Sequence, residues 1–233
     1  MQTIAQIRDQ EKRSHEAFYE SSDLYQDGSW LHKPVKTVLE LFPHFQQYPS
    51  LRVLDLGCGV GRNCLAIAQH FQDIPCSIDC LDILELAIKK LTSYAQQHGL
   101  SQNIQGIVGS IDDFPILENT YDWILAVSAL EHVHSQACLR DKLLEIRSGI
   151  RPNGVVCLIM NSEVKEMEVP SGKVCPASFE VNLSSSELLD LLESVFYGWK
   201  IQKQTIRSQT YEIPRGQQMH KLTTNVVTFV AVK

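Results

Sequence analysis

The stretch Val53-Leu54-Asp55-Leu56-Gly57-Cys58-Gly59-Val60-Gly61 runs from a short apolar segment through three alternate glycines. A buried strand that turns sharply into a helix reads this way, because residues without Cβ let bare backbone approach a ligand. The N–H groups at the start of the following helix favour a carboxylate or another electron-rich group. The spacing is G-x-G-x-G, not the G-x-G-x-x-G of dinucleotide folds, which leaves no cradle for a pyrophosphate. A tight turn with a purely structural role is the competing explanation of this segment taken alone.

Outward from that turn, short apolar runs alternate with segments of helical spacing. Strands are expected at 51–56, 76–81, 104–108, 123–127 and 155–160, all rich in Val, Ile and Leu as strands buried on both faces are. Helices are expected at 61–71, 84–98 and 137–150, the last stopped by Arg151-Pro152-Asn153-Gly154. The alternation predicts an α/β fold with a doubly wound, mainly parallel sheet of about seven strands. After a helix over 186–195, the strand-like runs 199–206 and 225–232 are separated only by 208–224, a connection that predicts an antiparallel C-terminal hairpin. Segments 3–19 and 35–41 read as helices outside the pattern, placed to lid a site.

Composition narrows the function classes. The 233 residues are 44% hydrophobic and 21% charged, enough apolar content for a sizeable core and with no linker dividing the chain. A single domain over 1–233 is the expectation. The formal charge of -6 gives no basic field for a phosphate backbone, so nucleic acid is disfavoured as a partner. Charges crowd residues 8–13, unlike a signal peptide, and no apolar run reaches membrane-spanning length. Seven cysteines form an odd set without a C-x-x-C pair, so neither a disulfide framework nor a zinc site is indicated and no metal is expected. A reducing cytoplasm fits, with the protein a monomer or homodimer.

Asp82 closes the second expected strand, at the distance beyond the glycines where doubly wound folds place an acid for ribose hydroxyls. Asp79 is the rival, although the alternation Ile78, Cys80, Leu81 makes Asp82 the terminal acid.

These residues together resemble the class I S-adenosylmethionine-dependent methyltransferases, whose first motif reads much like residues 53–61. The resemblance implies a Rossmann-like fold and S-adenosyl-L-methionine as cofactor, with S-adenosyl-L-homocysteine as product. It assigns Asp55, Gly57, Cys58, Gly59, Gly61 and Asn63 to the cofactor. It gives Asp82 to the ribose and Ile83 to the adenine face. Gly109-Ser110-Ile111-Asp112-Asp113-Phe114-Pro115 is similar to the third motif, with Ser110 where an Asp usually meets adenine, and the Ile111 N–H is a second adenine contact. Residues 121–133 resemble the fourth motif, in which a carbonyl near Val127 holds the methionine amino group. Glu131 and His132 recur there, and His132 is read as a packing or capping group.

Within that family the chain resembles the tellurite-resistance methyltransferases. The resemblance rests on Arg62-Asn63 after the last glycine, Pro176-Ala177-Ser178-Phe179 before a helix, Phe196-Tyr197-Gly198-Trp199, and the late connection. It implies a small-molecule acceptor, either a chalcogen oxyanion such as tellurite or selenite or a thiol, with Tyr211, Arg215 and His220 as candidate catalytic residues. On this reading 1–50 is a lid and lead-in, 51–160 the cofactor core, and 161–233 the acceptor side. Tyr19, Tyr25 and Trp30 are candidates to fold over the sulfonium, and Cys175 is a spectator. RNA or natural-product methylation, and a non-catalytic S-adenosylmethionine-binding module, are the alternatives.

Overall fold

The computed structural model describes residues 4–177, 179–215 and 218–233. Thr3 and Ser178, both within passages singled out above, lie outside the described residues. Five parallel strands form the centre: β1 (Leu51–Leu56), β2 (Cys76–Asp82), β3 (Ile104–Val108), β4 (Tyr121–Val127) and the start of β5 (Ile150–Val169). Helices α4 (Cys64–His70), α5 (Glu85–Gln97) and α6 (Gln136–Gly149) alternate with them, preceded by α1 (Ile4–Ser21), α2 (Lys36–Glu40) and α3 (Phe42–Phe45). Beyond β5 come the two-residue β6 (Val174–Cys175), α7 (Ser185–Val195), β7 (Lys200–Arg215) and β8 (Gln218–Val232). The strand order is β3-β2-β1-β4-β5-β8-β7, with β6 pairing β5 off this path. The expected doubly wound sheet with an antiparallel C-terminal hairpin is present.

Strand alternation builds the two apolar layers. Along β1 and β4, Val53, Trp123 and Leu125 point into one cluster with Val38, Phe45, Ile67 and Leu91. Leu54, Leu56, Ile124 and Ala126 point into the other, with Leu143, Ile146, Leu188, Leu192 and Phe229. Ser135 caps α6 by accepting from the Cys138 N–H, and Ser184 with Glu187 forms a reciprocal capping box at α7.

Two expectations need correction. The helix after the glycines begins at Cys64 and not at residue 61, because Gly61 has a φ of 99° that no helix accepts. The described residues of 208–224 are not a connecting loop: β7 and β8 pair from Lys200–Val232 to Arg215–Gln218, with one register shift between Ile201 and Lys203. Strand β5 likewise runs past 160, pairing β8 through Val169–Met219. The polar run hid the ribbon, but Thr205, Ile206, Thr210, Tyr211 and Ile213 are strand formers, and a solvent-exposed edge tolerates the intervening Arg207, Gln209 and Glu212.

Leu143 on α6 has no exposed surface and sits in the second layer. Leu143→Ala is expected to lower unfolding free energy by about 2 to 5 kcal/mol through transfer and cavity losses. Urea titration followed by circular dichroism checks this; an unchanged midpoint would contradict the packing described.

Candidate active site

The order of strands reverses between β1 and β4, and their carboxyl ends part to leave a crevice of the kind where open α/β sheets bind ligands. The glycine turn forms its floor. Gly57, Gly59 and Gly61 have φ of 72°, 54° and 99°, conformations that a Cβ penalises. Space is equally tight: a Cβ on Gly57 would stand 2.4 Å from Ala129 Cβ, one on Gly59 2.8 Å from the Tyr19 hydroxyl, and one on Gly61 2.5 Å from Leu91 Cδ1. The N–H groups of Gly57 and Cys58 donate to the Leu81 carbonyl at 2.8 and 3.0 Å, fastening the turn to β2.

Asp82 stands at the end of β2 against this turn. Its Oδ2 accepts from the Gly59 N–H at 2.8 Å and its Oδ1 from the Leu84 N–H at 2.9 Å. Burial raises its pKa above the usual carboxylate range, opposed by those two N–H bonds and by the charge of His15. A carboxylate offers about four lone-pair positions, so two hydroxyls can still be accepted. The rival Asp79 is committed elsewhere, its Oδ2 accepting from Arg52 Nη2 and the Tyr121 hydroxyl, both at 2.8 Å.

Asp55 is buried at the end of β1, and its Oδ2 has no hydrogen-bond partner among the described residues. Burial pushes its carboxyl up to about 7, with Arg62 opposing and Asp82 adding. An orphaned carboxylate oxygen beneath the turn is a receptor for a cation or a donor. Asn63 is spent on the scaffold, its Oδ1 accepting from the Val35 N–H at 3.0 Å. Cys58 is buried, and its thiol donates to the Gly59 carbonyl at 3.4 Å.

At the next strand exit, Gly109 N–H donates to the Asp82 carbonyl at 2.9 Å. The Ser110 hydroxyl turns away to Asp112, donating to Oδ2 and accepting from the Asp112 N–H, both at 3.2 Å. Ile83 is 56% exposed beside Asp82, Ile111 packs on the second apolar layer, and Val127 ends β4 half-buried.

Helix α1 crosses over these ends on a charged footing. Arg8 binds Asp112, Glu180 and the His132 carbonyl. Lys90 donates to the Tyr19 carbonyl, and Tyr19 itself, buried, covers Gly59. Of the three aromatic candidates only Tyr19 touches the turn; Trp30 stacks on Phe18 with ring centres 4.9 Å apart, and the Tyr25 hydroxyl donates to the Arg62 carbonyl. Half-buried His15 faces Glu11, His132, Asp82 and Arg215, and its pKa is lowered, first by burial and then by the cations His132 and Arg215 against the two acids. His132 behaves oppositely. Burial lowers it, but the bond to Glu180 at 3.0 Å and the charges of Glu131, Glu180 and Glu11 outweigh that and raise its pKa.

The ribbon supplies the far wall. Arg215 and His220, proposed from sequence, do converge, on a partner that sequence did not reveal: Glu166 Oε1 accepts from Arg215 Nε at 3.2 Å and lies 2.7 Å from His220 Nδ1. Arg215 also bonds Glu11 at 2.8 Å and the Ser14 hydroxyl at 3.1 Å on α1. Glu166 is buried with Oε2 unpartnered among the described residues. Tyr211, on the same ribbon, is 42% exposed. Cys175 is half-buried on β6, donating only to the Lys173 carbonyl.

Comparison with known proteins agrees with this geometry. Residues 53–154 match the family model described as a methyltransferase domain. Sterol 24-C-methyltransferase ERG6B of Gibberella zeae is 30% identical over 107 residues, which is 46% of this chain and 27% of that protein. The chain spans about half or less of the length of the curated relatives it first matches. Among solved structures, phosphoethanolamine N-methyltransferase 1 of Haemonchus contortus, crystallised with phosphoethanolamine and S-adenosylhomocysteine, superposes with a TM-score of 0.61 at 17% identity, covering 97% of this chain and 50% of that one. TehB of Haemophilus influenzae gives 0.59 at 18% identity, covering 85% and 62%, a likeness of fold alone. Among the described residues no helix is long and apolar enough to cross a membrane. Residues 53–154 therefore form a methyltransferase domain of the class I, S-adenosylmethionine-dependent kind.

Proposed function

We propose that the whole chain transfers a methyl group from S-adenosylmethionine to a small-molecule nucleophile, in the crevice between the carboxyl ends of β1 and β4 and beneath α1. The observation that carries this reading is the glycine turn, bare of Cβ at three positions and tied by Gly59 to the terminal acid Asp82. The residues present fit the cofactor. Asp82 has lone pairs left for both ribose hydroxyls, and exposed Ile83 offers an apolar face for adenine. The backbone N–H of Ile111 serves adenine while the Ser110 hydroxyl is held by Asp112. Asp55, with its orphaned oxygen, and the carbonyl of Val127 suit the methionine ammonium. Gly57, Cys58 and Gly61 shape the turn, and Asn63 supports it by holding the lead-in at Val35.

When bound, S-adenosylmethionine supplies a methyl carbon activated by its sulfonium. The protein's task is then alignment and exclusion of water, worth as much as about 7 to 11 kcal/mol. Segment 1–50 acts as the lid and 161–233 as the acceptor wall of one domain. His15 lies at the meeting point of Asp82, His132 and Arg215, and its lowered pKa keeps the imidazole neutral near pH 7. It is the proton acceptor for a hydroxyl or amine substrate. Arg215 and His220, clamped by Glu166, form the wall that orients the acceptor, with Tyr211 at its rim.

A chalcogen oxyanion or thiolate acceptor is the second reading, favoured by Arg215 and His220 standing together. The carboxylates of Glu11 and Glu166 offset the charge of Arg215, which weakens the attraction for an anion.

Asp82→Ala is expected to weaken S-adenosylhomocysteine binding at least tenfold, since two charge-assisted hydrogen bonds are each worth about 1.5 to 3 kcal/mol. Calorimetry giving wild-type affinity would remove Asp82 from the site. An acceptor screen with labelled donor, covering amines, hydroxyls, thiols, tellurite and selenite, identifies the substrate class. With a hydroxyl or amine acceptor, His15→Gln should lower kcat by about 100-fold or more. Wild-type kcat/KM should then rise with pH along a limb below the ordinary histidine value, because the lowered pKa frees the base at lower pH. Unchanged turnover of that variant on such an acceptor would remove His15 as the proton acceptor.

A further inference from the structure

Beside Arg8 of α1, three potential metal ligands from two segments meet. Asp112 comes from the turn after β3, His134 from the residue before the α6 cap Ser135, and Cys138 from the first turn of α6. We propose that Asp112 Oδ1, His134 Nδ1 and Cys138 Sγ bind a zinc-class divalent cation, with solvent as the fourth ligand.

The distances carry the assignment. Ligand atoms lie roughly 2.0 to 2.3 Å from zinc, so neighbours on a tetrahedron stand about 3.3 to 3.6 Å apart. Asp112 Oδ1 is 3.3 Å from Cys138 Sγ and 3.7 Å from His134 Nδ1, and all three atoms lie within 4.8 Å of one another. Two edges of the tetrahedron are thus already near bonding length before any ion is placed. The Cys138 thiol now donates its proton to Asp112 Oδ1, and a cation replaces that proton, which leaves to solvent as the thiolate–metal bond forms.

The other oxygen is occupied in a compatible way. Asp112 Oδ2 takes Arg8 of α1 and the Ser110 hydroxyl, and the His134 N–H fixes Oδ1 at 3.2 Å. Such outer partners orient a ligating carboxylate. A sulfur, a nitrogen and one oxygen select zinc or cobalt over magnesium or calcium, which take oxygen shells. His134 is over half exposed, so an ion has an open path.

Cobalt(II) titration of the full chain tests this, read by the thiolate-to-cobalt charge-transfer absorption and its bleaching by zinc. One cobalt per chain with that band is expected for the wild type, and for Cys175→Ser, which removes the other half-buried thiol. Cys138→Ser should abolish the band, and His134→Ala should weaken zinc binding by more than about 100-fold, beyond the range for loss of an outer partner. Circular dichroism of each variant guards against unfolding. No band in the wild type, or a band that survives in Cys138→Ser, overturns the site.

Discussion

The pressure of Gly57 against Ala129 is the contact on which the rest of the molecule turns. A Cβ at Gly57 would come within 2.4 Å of the methyl of Ala129, closer than any relaxed packing permits. The chain leaving β1 therefore passes the chain leaving β4 with no room for a side chain at residue 57. The turn runs on through positive φ at Gly57, Gly59 and Gly61. It leaves Gly59 pointing its N–H at Asp82. Hydrogen bonds from Gly57 and Cys58 to Leu81 then lock β1, the turn and the end of β2 into one rigid piece, so the acid and the bare backbone cannot drift apart.

Over this rigid floor lies a cover whose described side chains include charged ties at two places. Arg8 reaches Asp112 and Glu180, and Arg215 reaches Glu11 and Glu166, so α1 is tied at both ends of the crevice. Burying such pairs carries a desolvation cost that offsets much of their attraction, so they fix position more than they add stability. Tyr19, Leu31 and Val60 add a small apolar contact in the middle.

The parallel half of the sheet is legible in the sequence because β1, β2, β4 and the start of β5 are buried on both faces and read as apolar runs; β1 is bounded at 51–56 as expected, and β3 at 104–108 although it is an edge strand whose residues are half-buried or exposed, not buried on both faces. Asp82 is legible as well, since spacing from the glycines and position at a strand end are local properties. The hairpin's inner runs 199–206 and 225–232 are legible too, but its outer part over 208–215 and 218–224 is not, because the exposed β7 edge there mixes polar and charged residues with the strand formers and hides the pairing. Nor are the partners of the candidate side chains. Arg215 and His220 are readable as chemistry, but Glu166 lies 49 residues from the first and 54 from the second, brought to them only by the register of β5 on β8 and β7. His15 offers even less: a histidine in an amphipathic helix carries no mark of what the helix will lie across.

The two histidines of the crevice show how far environment outweighs residue type. His15 and His132 influence one another, yet one is depressed and the other raised. The difference is in the carboxylates. His132 bonds Glu180, whose side chain is almost wholly buried, so the attraction acts through little solvent and overcomes the burial penalty. His15 lies 3.7 Å from Glu11, which is shared with Arg215, so the pull of Glu11 and Asp82 does not overcome its burial and the nearby cations. The two imidazoles are thus shifted in opposite directions by the acids that each one faces. This is the arrangement by which one crevice can keep a proton acceptor and a proton-holding group apart at the same pH.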